Sequence, residues 1–272
     1  MVRKEANRKL DRLGEMLREY GAAGVAFSGG VDSTFLLKVA HDILGEKCVA
    51  LTARSCIFSG RETAEAEAFC IKENVRQLMV EGDEMSMEDF TANRPDRCYV
   101  CKLGLFKKMS DVAFAEGVKV LCEGSNIDDM DDYRPGLKAV AELGVKSPLR
   151  DCGFTKREIR ALSVEMGLPT ADKPSFACLA SRFPYGERIT AEKLGMVEKA
   201  ENFLRDAGFN QVRVRIHCRV ARIEVEPAML PSLLNRREET VSALKDLGFA
   251  YVTADLQGYR SGSMNEQIVF GV

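Results

Sequence analysis

The sequence predicts an α/β protein, a doubly wound parallel sheet followed by a smaller C-terminal α+β domain. In the first part of the chain, short apolar runs alternate with helical patterns, which is typical of βαβ units around a parallel sheet. After about residue 170 this alternation stops, and period-two patterns indicate half-buried strands. We therefore expect one domain over residues 1–184 and a second over residues 185–272.

The predicted first domain begins with an amphipathic helix. Leu10, Leu13 and Leu17 recur among charged residues, and Gly21 ends the pattern. The elements expected next are strand 24–27, helix 34–44, strand 48–53, helix 61–73, strand 76–80, helix 99–116 and strand 119–123. Ligands of doubly wound sheets bind at the carboxyl ends of strands. The loops after the first and the last of these strands are therefore the expected binding sites.

A long loop precedes the predicted second domain. Residues 170–190 contain Pro174, Pro184 and Gly186, and a loop of this length is commonly functional. The elements expected after it are helix 191–207, strand 212–217, strand 220–226 after a tight turn, helix 227–247 and strand 250–256.

Composition and charge limit the classes of function. The chain has 272 residues, of which 46% are hydrophobic and 29% charged, the profile of a globular protein without a membrane partner. The N-terminal residues lack the apolar centre of a secretory signal, so a cytoplasmic location is expected. A net charge of −2 argues against an extended nucleic-acid footprint. The nine cysteines are an odd number, which makes a disulfide framework unexpected.

The strongest motif is a glycine-containing loop between an apolar strand and a helix. Glycines let the main chain approach an anion, and N–H groups at the helix start point towards it. The alternative is a glycine turn before a capped helix. Asp32 is expected to act through Mg²⁺ or through a backbone hydrogen bond. The residues predicted to bind ATP and pyrophosphate are Ser28, Gly29, Gly30, Val31, Asp32 and Ser33.

A second strand-end loop contributes Asn126, which we expect to contact the nucleotide. The acidic residues that follow it either bind Mg²⁺ or stabilise a solvated turn, and structural roles are favoured for most of them. These residues are Asp128, Asp129, Asp131 and Asp132.

Cysteines and arginines supply the remaining candidates. Cys178 lies near Arg182, which favours a reactive thiolate, although composition alone favours a cysteine buried at the domain junction. Cys98 and Cys101 form a CxxC pair without a second such pair, so a packed or redox-silent pair is favoured over a zinc site, and a cluster formed with Cys178 is the sharper alternative. Arg213 and Arg215 alternate on one strand face, which suits either a phosphate site or a solvated sheet face.

Several segments resemble known families. The loop at 28–33 resembles the SGGxDS loop of the N-type ATP pyrophosphatase superfamily, and it is not a Walker A loop because the Gly-Lys-Ser/Thr ending is absent. Nearly the whole chain resembles the LarE family of ATP-dependent sacrificial sulfur transferases. The segments that carry this resemblance are 93–102 (NRPDRCYVCK), 123–126 (EGSN) with the acidic run to residue 136, 174–186 (PSFACLASRFPYG) and 255–265 (DLQGYRSGSMN).

The resemblance implies a fold of the adenine nucleotide alpha hydrolase type, with ATP and Mg²⁺ bound by the first domain. It implies that Cys178 gives up its sulfur and that Arg213 and Arg215 bind the substrate phosphate. Glu201 corresponds to a family acid near the site, with Glu198 as the alternative. An iron–sulfur cluster is not expected, because the loop contains a single cysteine. Relatives form hexamers, so the second domain is expected to bind substrate and to support a homo-oligomer.

The sequence thus predicts an enzyme that adenylates a carboxylate of a pyridinium mononucleotide and inserts sulfur, in nickel-pincer nucleotide cofactor biosynthesis. Three alternatives remain open at this point. They are an amidating ATP pyrophosphatase related to NAD synthetase, a tRNA thiolase, and a nucleotide-binding regulatory module without chemistry.

Overall fold

The computed structural model describes residues 2–131, 136–174, 176–260 and 262–263. Residues 132–135, 175, 261 and 264–265, which belong to the segments quoted above, lie outside the described residues. The chain forms two compact units. The first contains Met1–Gly82 and Cys98–Phe176, and the second contains Asp83–Arg97 and Ala177–Val272.

The secondary structure follows much of the predicted order. The strands are β1 (Ala23–Ala26), β2 (Cys48–Arg54), β3 (Arg76–Glu81), β4 (Leu121–Cys122), β5 (Val212–His217), β6 (Val220–Val225) and β7 (Tyr251–Ala254). The helices are α1 (Val2–Tyr20), α2 (Val31–Leu44), α3 (Gly60–Lys72), α4 (Glu88–Thr91), α5 (Arg97–Ala115), α6 (Gly136–Glu142), α7 (Pro148–Asp151), α8 (Lys156–Glu165), α9 (Ala191–Asp206), α10 (Leu230–Asn235) and α11 (Arg237–Asp246).

The first unit is built on a parallel sheet with the strand order β3-β2-β1-β4. Side chains of β2 alternate between two apolar cores, because Ala50 packs into one cluster while Val49 and Leu51 pack into another. Both faces of the strand are therefore covered, which explains why it reads as a continuous apolar run. The predicted doubly wound α/β class is confirmed.

Three helices of the first unit were not predicted: α6, α7 and α8. Helix α8 begins with a capping box, in which the Thr155 side chain accepts the Glu158 N–H and Glu158 accepts the Thr155 N–H. The Thr-x-x-Glu pattern at 155–158 is a sequence signal for a helix start. Within the described ranges, no helix has both the length and the apolar character needed to cross a bilayer.

The second unit contains a smaller mixed sheet with the order β5-β6-β7. Strands β5 and β6 are antiparallel and are joined by a tight turn at Cys218, where φ is +55°, and β7 lies parallel to β6. Helix α9 packs against β5. The predicted α+β character is confirmed, and the helical stretch expected over 227–247 is divided into a short 3-10 turn, α10 and α11.

The division into domains 1–184 and 185–272 stays a prediction. In the compact units, residues 83–97 and 177–184 group with the later part of the chain. Asn93 explains the grouping, since its side-chain amide donates to the carbonyls of Pro184 at 2.6 Å and Glu187 at 2.9 Å. The Ile189 N–H also donates to the Thr91 carbonyl at 2.9 Å. These contacts join positions that are far apart in sequence, so no local pattern indicates them.

Strand β5 differs from its prediction as a half-buried strand. Arg213 is 3% exposed and Arg215 is 8% exposed, while Val212, Val214 and Ile216 are fully buried. The alternative of a solvated sheet face is therefore wrong. The alternation of apolar residues and arginines correctly predicts that β5 has two different faces. The arginine face can still be buried, because buried carboxylates compensate its charges.

Candidate active site

The loop between β1 and α2 has the predicted strand–loop–helix geometry. Gly30 caps α2 at its N-terminus with an extended backbone, and Gly29 has φ +70°, in the left-handed region that favours glycine. A Cβ at Gly29 would also lie 3.2 Å from the Cβ of Ala66. The first N–H groups of α2 have no intrahelical acceptor, so the helix start has donors available for an anion.

Two serine hydroxyls brace this loop. Ser33 is buried, accepts the N–H of Ser28 at 3.3 Å and donates to the Gly30 carbonyl at 3.2 Å. The Ser28 and Ser33 hydroxyl oxygens are 3.2 Å apart, and Ser28 is exposed. Ser33 therefore holds the shape of the loop, while Ser28 is the hydroxyl that is accessible to a ligand.

Asp32 lies in the first turn of α2 and is contacted from two directions. Its Oδ1 accepts a hydrogen bond from the Asn126 amide at 3.2 Å, and its Oδ2 forms an ion pair with Lys156. The structure thus brings together Asp32 and Asn126, the two predicted residues from separate strand ends. Lys156 was not predicted, and the capping pattern at 155–158 is the signal that locates it at a helix start.

A second lysine reaches the loop from another segment. Lys173 donates to the Gly29 carbonyl at 3.0 Å and pairs with Glu65 at 2.8 Å. Gly124, in the loop after β4, lies against the start of α2, and a Cβ there would be 3.0 Å from the Ser33 nitrogen. Any larger residue at Gly124 must therefore displace main-chain atoms.

Part of the acidic run after Asn126 has a structural role, as the sequence favoured. Asp129 accepts the Asn126 N–H at 2.9 Å, and Asp128 accepts the Lys156 N–H at 2.7 Å. These carboxylates therefore fix the backbone of the two residues that contact Asp32. Asp132 lies outside the described residues, and the side chain of Asp131 is also undescribed.

In the second unit, Cys178 comes directly before a 3-10 turn, Leu179–Arg182. It is half-buried and forms no disulfide. The guanidinium of Arg182 contacts the main chain of this turn, because its Nη1 donates to the carbonyls of Ala177 at 2.9 Å and Cys178 at 3.3 Å. Nη1 also donates to the Ser181 hydroxyl at 2.7 Å. We refer to residues 177–182 as the Cys178 turn.

Glu201 on α9 fixes the other side of Arg182. The Arg182 Nε donates to Glu201 Oε1 at 2.8 Å and Nη2 to Oε2 at 3.0 Å, with both side chains at most 1% exposed. Oε1 also accepts the Val214 N–H at 3.0 Å, and Oε2 accepts a bond from Arg205 at 2.9 Å. Burial alone would raise the pKa of Glu201, but Arg182, Arg213 and Arg205 outweigh it and hold the pKa below its usual value. Glu201 is therefore an ionised counter-ion with both oxygens engaged.

Arg215 holds the far end of the same turn. Its Nη1 donates to the Ser181 carbonyl at 2.6 Å, while Nε and Nη2 donate to Glu224 at 3.1 and 3.0 Å. Nη2 also donates to the Ser263 hydroxyl at 3.0 Å. Arg215 thus repeats the pattern of Arg182, with one edge of the guanidinium on a buried glutamate and one nitrogen on a main-chain oxygen of the turn.

Arg213 lies in the same cluster of charges. Burial first, and then repulsion from Arg182, lowers the pKa of Arg213 to about 10. Its guanidinium lies over the ring of Tyr259, 5.3 Å from the ring centre, and Nη1 donates to the Val212 carbonyl at 2.8 Å. Arg213 remains a cation at neutral pH, but its environment disfavours the charge. An additional anion next to it would be favourable.

The CxxC cysteines lie at the start of α5. Cys98 and Cys101 are half-buried, and neither forms a disulfide. Among the residues that the structure describes, no group of three or more His, Cys, Asp or Glu side chains is arranged to hold a metal ion.

Comparison with known proteins identifies close relatives over almost the whole chain. The chain is 43% identical over 259 residues to an uncharacterised protein of Synechocystis sp., covering 94% of this chain and 97% of that protein. It is 38% identical over 253 residues to the pyridinium-3,5-bisthiocarboxylic acid mononucleotide synthase of Lactiplantibacillus plantarum, covering 93% and 92%. It is 28% identical over 194 residues to a component of the glutamine-hydrolysing GMP synthase of Thermoplasma volcanium, covering 65% and 61%. No protein-family model matches the chain.

Proposed function

The chain belongs to the LarE family, and from this premise we propose that it is an ATP-dependent sulfur transferase. Its substrate is a dicarboxylated pyridinium mononucleotide, and its product is a thiocarboxylate used in building a nickel-pincer cofactor. One observation carries the proposal. Cys178, the predicted sulfur donor, is part-exposed on a turn whose main chain is held by two buried arginines.

The first unit supplies the activation step. ATP binds with its phosphates at the start of α2, where the helix N–H groups, the Ser28 hydroxyl and the Asn126 amide are available as donors. The Lys156 ammonium group adds positively charged donors at the same place, because it carries three hydrogens and its contact with Asp32 uses one of them. The substrate carboxylate attacks the α-phosphorus, which forms the acyl adenylate and releases pyrophosphate.

The protein side chains at this loop fit a Mg²⁺ ion only if the ion is also bound by the phosphates of ATP. Asp32 is a single carboxylate, and Mg²⁺ bound to phosphates needs only one or two protein carboxylates. Asp32 would therefore hold the ion, with the other ligands provided by phosphate and water. The ion would supply positive charge that neutralises the departing pyrophosphate.

The second unit supplies the sulfur. The Cys178 thiolate attacks the acyl carbon and expels AMP, which leaves a thioester between substrate and protein. The Cα proton of Cys178 then leaves, the Cβ–S bond breaks, and its electron pair stays on sulfur. The products are a thiocarboxylate and a dehydroalanine at position 178. No oxidant or reductant is consumed.

Charge in the second unit supports recognition of the substrate phosphate by Arg213 and Arg215. Among the described side chains of this partly buried cluster, arginines outnumber carboxylates, so an added dianion is favourable. The members named by contacts are Arg182, Arg205, Arg213, Arg215, Arg222 and Arg260 on one side and Glu201, Glu224 and Asp255 on the other.

Intact-protein mass spectrometry after one turnover tests the proposal. Protein incubated with ATP, Mg²⁺ and the pyridinium mononucleotide should lose about 34 Da, one H₂S, and peptide mapping should locate the loss at Cys178. Cys178→Ser should form AMP and pyrophosphate without product. Cys56→Ser, which changes an exposed cysteine, should behave like the wild type.

The rival functions give different results in the same assay. An amidating enzyme would keep its mass, require ammonia and remain active as Cys178→Ser. A tRNA thiolase would bind tRNA with an affinity that falls steeply with salt. Product formed at unchanged protein mass would exclude the sacrificial route.

The assembly state, the cytoplasmic location and the roles of the two domains stay predictions. Size-exclusion chromatography with light scattering would test the hexamer that the resemblance implies. A monomer at working concentration would contradict it.

A further inference from the structure

The carbonyl oxygen of Cys178 is contacted by two donors. The Ser181 N–H donates to it at 3.0 Å, and Nη1 of Arg182 donates to it at 3.3 Å. Nη1 has two hydrogens and lies within reach of three oxygens, those of Ala177, Cys178 and Ser181. The Cys178 contact is the longest of the three, so it has the most to gain if negative charge develops on that oxygen.

Negative charge develops there during one step of the proposed reaction. Breaking the Cβ–S bond of a cysteine thioester requires loss of the Cα proton, and the electron pair of that Cα–H bond delocalises onto the carbonyl oxygen of the same residue. The resulting enolate is the high-energy species of a β-elimination. Donors placed at such an oxygen lower the barrier because they need no reorganisation.

We propose that Arg182 and the Ser181 N–H form an oxyanion hole for the enolate of Cys178, which makes Arg182 a catalytic residue for sulfur release. The inference rests on the proposed sulfur-donor function. The Cα proton passes to a solvent water molecule, which reaches the part-exposed Cys178. The electron pair then forms the Cα–Cβ double bond, and the Cβ–S pair leaves with the thiocarboxylate. Dehydroalanine is the remaining group on the protein.

The setting of Arg182 suits this role. Its side chain is 1% exposed, and Glu201 holds Nε and Nη2, so that Nη1 is fixed towards the turn. Glu201 is ionised and both of its oxygens accept hydrogen bonds, so its role is to orient Arg182. Arg215 fixes the Ser181 carbonyl at 2.6 Å, which limits movement of the turn when the charge develops. The donors are thus organised before the reaction.

The first test separates thioester formation from sulfur release. With ATP and the pyridinium mononucleotide, Arg182→Met should still release AMP but should accumulate the protein–substrate thioester, seen as a gain in intact mass. Loss of one oxyanion donor should slow the conversion to dehydroalanine about 100-fold. Dehydroalanine formed at the wild-type rate, or AMP release lost together with it, would overturn the proposal.

A second test needs neither ATP nor substrate. A bis-alkylating dibromide converts a cysteine thiol into a cyclic sulfonium, which leaves by the same loss of a Cα proton. Peptide mass mapping should show slower elimination at Cys178 in Arg182→Met than in the wild type, by about tenfold or more. Cys56 and Cys218, which are exposed, serve as internal controls with unchanged rates. Equal rates at Cys178 would overturn the inference.

The two tests also distinguish failure of the sulfur-donor function from failure of the oxyanion-hole proposal. If the wild type forms product without losing sulfur, the sacrificial function fails, while the sulfonium result still reports on the oxyanion hole. If Arg182→Met does not fold, Arg182→Lys keeps a positive charge beside Glu201 but lacks the guanidinium nitrogen that reaches the Cys178 carbonyl. This variant carries the same predictions, and wild-type elimination in it would contradict the proposal.

Discussion

The β1–α2 loop of the first unit, residues 28–33, and the Cys178 turn of the second are built in different ways. The loop takes its shape from consecutive residues, with Gly29 at φ +70° and the Ser33 hydroxyl on the Gly30 carbonyl. The turn takes its shape from Arg182 and Arg215, which are held by glutamates on α9 and β6. A site made of adjacent main chain can be recognised in sequence. One fixed by distant buried charges becomes visible only in the fold.

The difference implies different weak points. The loop should be sensitive to small changes in volume next to its main chain, while the turn should be sensitive to changes in charge far from it. The following substitutions test that contrast, beginning with the largest expected effect.

Glu224→Gln should destabilise the second unit most. Glu224 is fully buried, accepts hydrogen bonds from Arg215 and forms an ion pair with Arg222, so the amide would leave guanidinium charge uncompensated. Breaking a buried ion pair costs about 3–5 kcal/mol, which urea unfolding would measure. The matched control is Glu88→Gln, since Glu88 forms an equally bidentate pair with Arg188 at the surface. Equal urea midpoints for Glu224→Gln and Glu88→Gln would contradict the idea that the buried pair matters more than the surface pair.

Gly124→Ala should weaken ATP binding without a comparable loss of stability. The new Cβ would lie 3.0 Å from the Ser33 nitrogen, so the start of α2 must move. We expect the Kd for a non-hydrolysable ATP analogue, measured by calorimetry, to rise about 100-fold. Gly195→Ala is the control, because a Cβ at Gly195 meets nothing within 4 Å and alanine favours the helix. Wild-type affinity in Gly124→Ala would mean that the loop tolerates an added methyl group beside its main chain.

Lys156→Met should have a smaller effect on the same equilibrium. It removes the ammonium group paired with Asp32 and leaves that carboxylate facing the phosphates. The Kd should rise about tenfold, the value of one charge-assisted hydrogen bond. Lys38→Met makes the same charge change on α2 but removes the pairs with Asp42 and Glu73. If Lys38→Met weakened ATP binding equally, the rise in Kd would be caused by the change in net charge and not by loss of the Lys156–Asp32 contact.

The smallest predicted effect concerns pH and the start of α8. Burial alone would raise the pKa of Glu158, but hydrogen bonds from Lys9 and Thr155 hold it below its ordinary value of 4.5. A carboxyl with a lowered folded pKa stabilises fully above pH 4.5, and this contribution is lost as the pH falls through the folded pKa.

Ionised Glu158 should contribute about 1 kcal/mol to the free energy of unfolding at neutral pH. Urea unfolding of Glu158→Gln at pH 7 and at acidic pH would measure it, and the variant should differ from the wild type only at the higher pH. Glu15→Gln, which changes an exposed carboxyl, should change neither curve. A difference between Glu158→Gln and the wild type that persists at acidic pH would assign the effect to packing.

Local patterns predicted much of the fold. The strands β1, β2 and β3 and the helices between them follow from apolar runs and helical periodicity, and the strand-end rule correctly brought Asn126 towards Asp32. Helix α8 was missed although its capping pattern is present. Lys156 and Lys173 were missed because no repeat or motif connects them to residues 28–33.

The site in the second unit was harder to predict. Alternation at Arg213 and Arg215 correctly indicated a strand, but it cannot show that both faces are covered. Arg182 was named for its nearness to Cys178 in the sequence and Glu201 through resemblance, whereas their pairing depends on α9 lying against the Cys178 turn. Contacts of this kind depend on tertiary packing, which a single sequence does not encode in its spacing.

The hydrogen bonds from Arg182 and Arg215 to the Cys178 turn end on main-chain oxygens and on one serine hydroxyl. Departure of the sulfur atom removes none of these acceptors. If Cys178 gives up its sulfur as proposed, a used protein molecule would therefore keep these hydrogen bonds, and quality-control proteases that detect unfolding would find no local unfolding at this turn. Cells would then need to renew this protein by synthesis in proportion to demand for the cofactor.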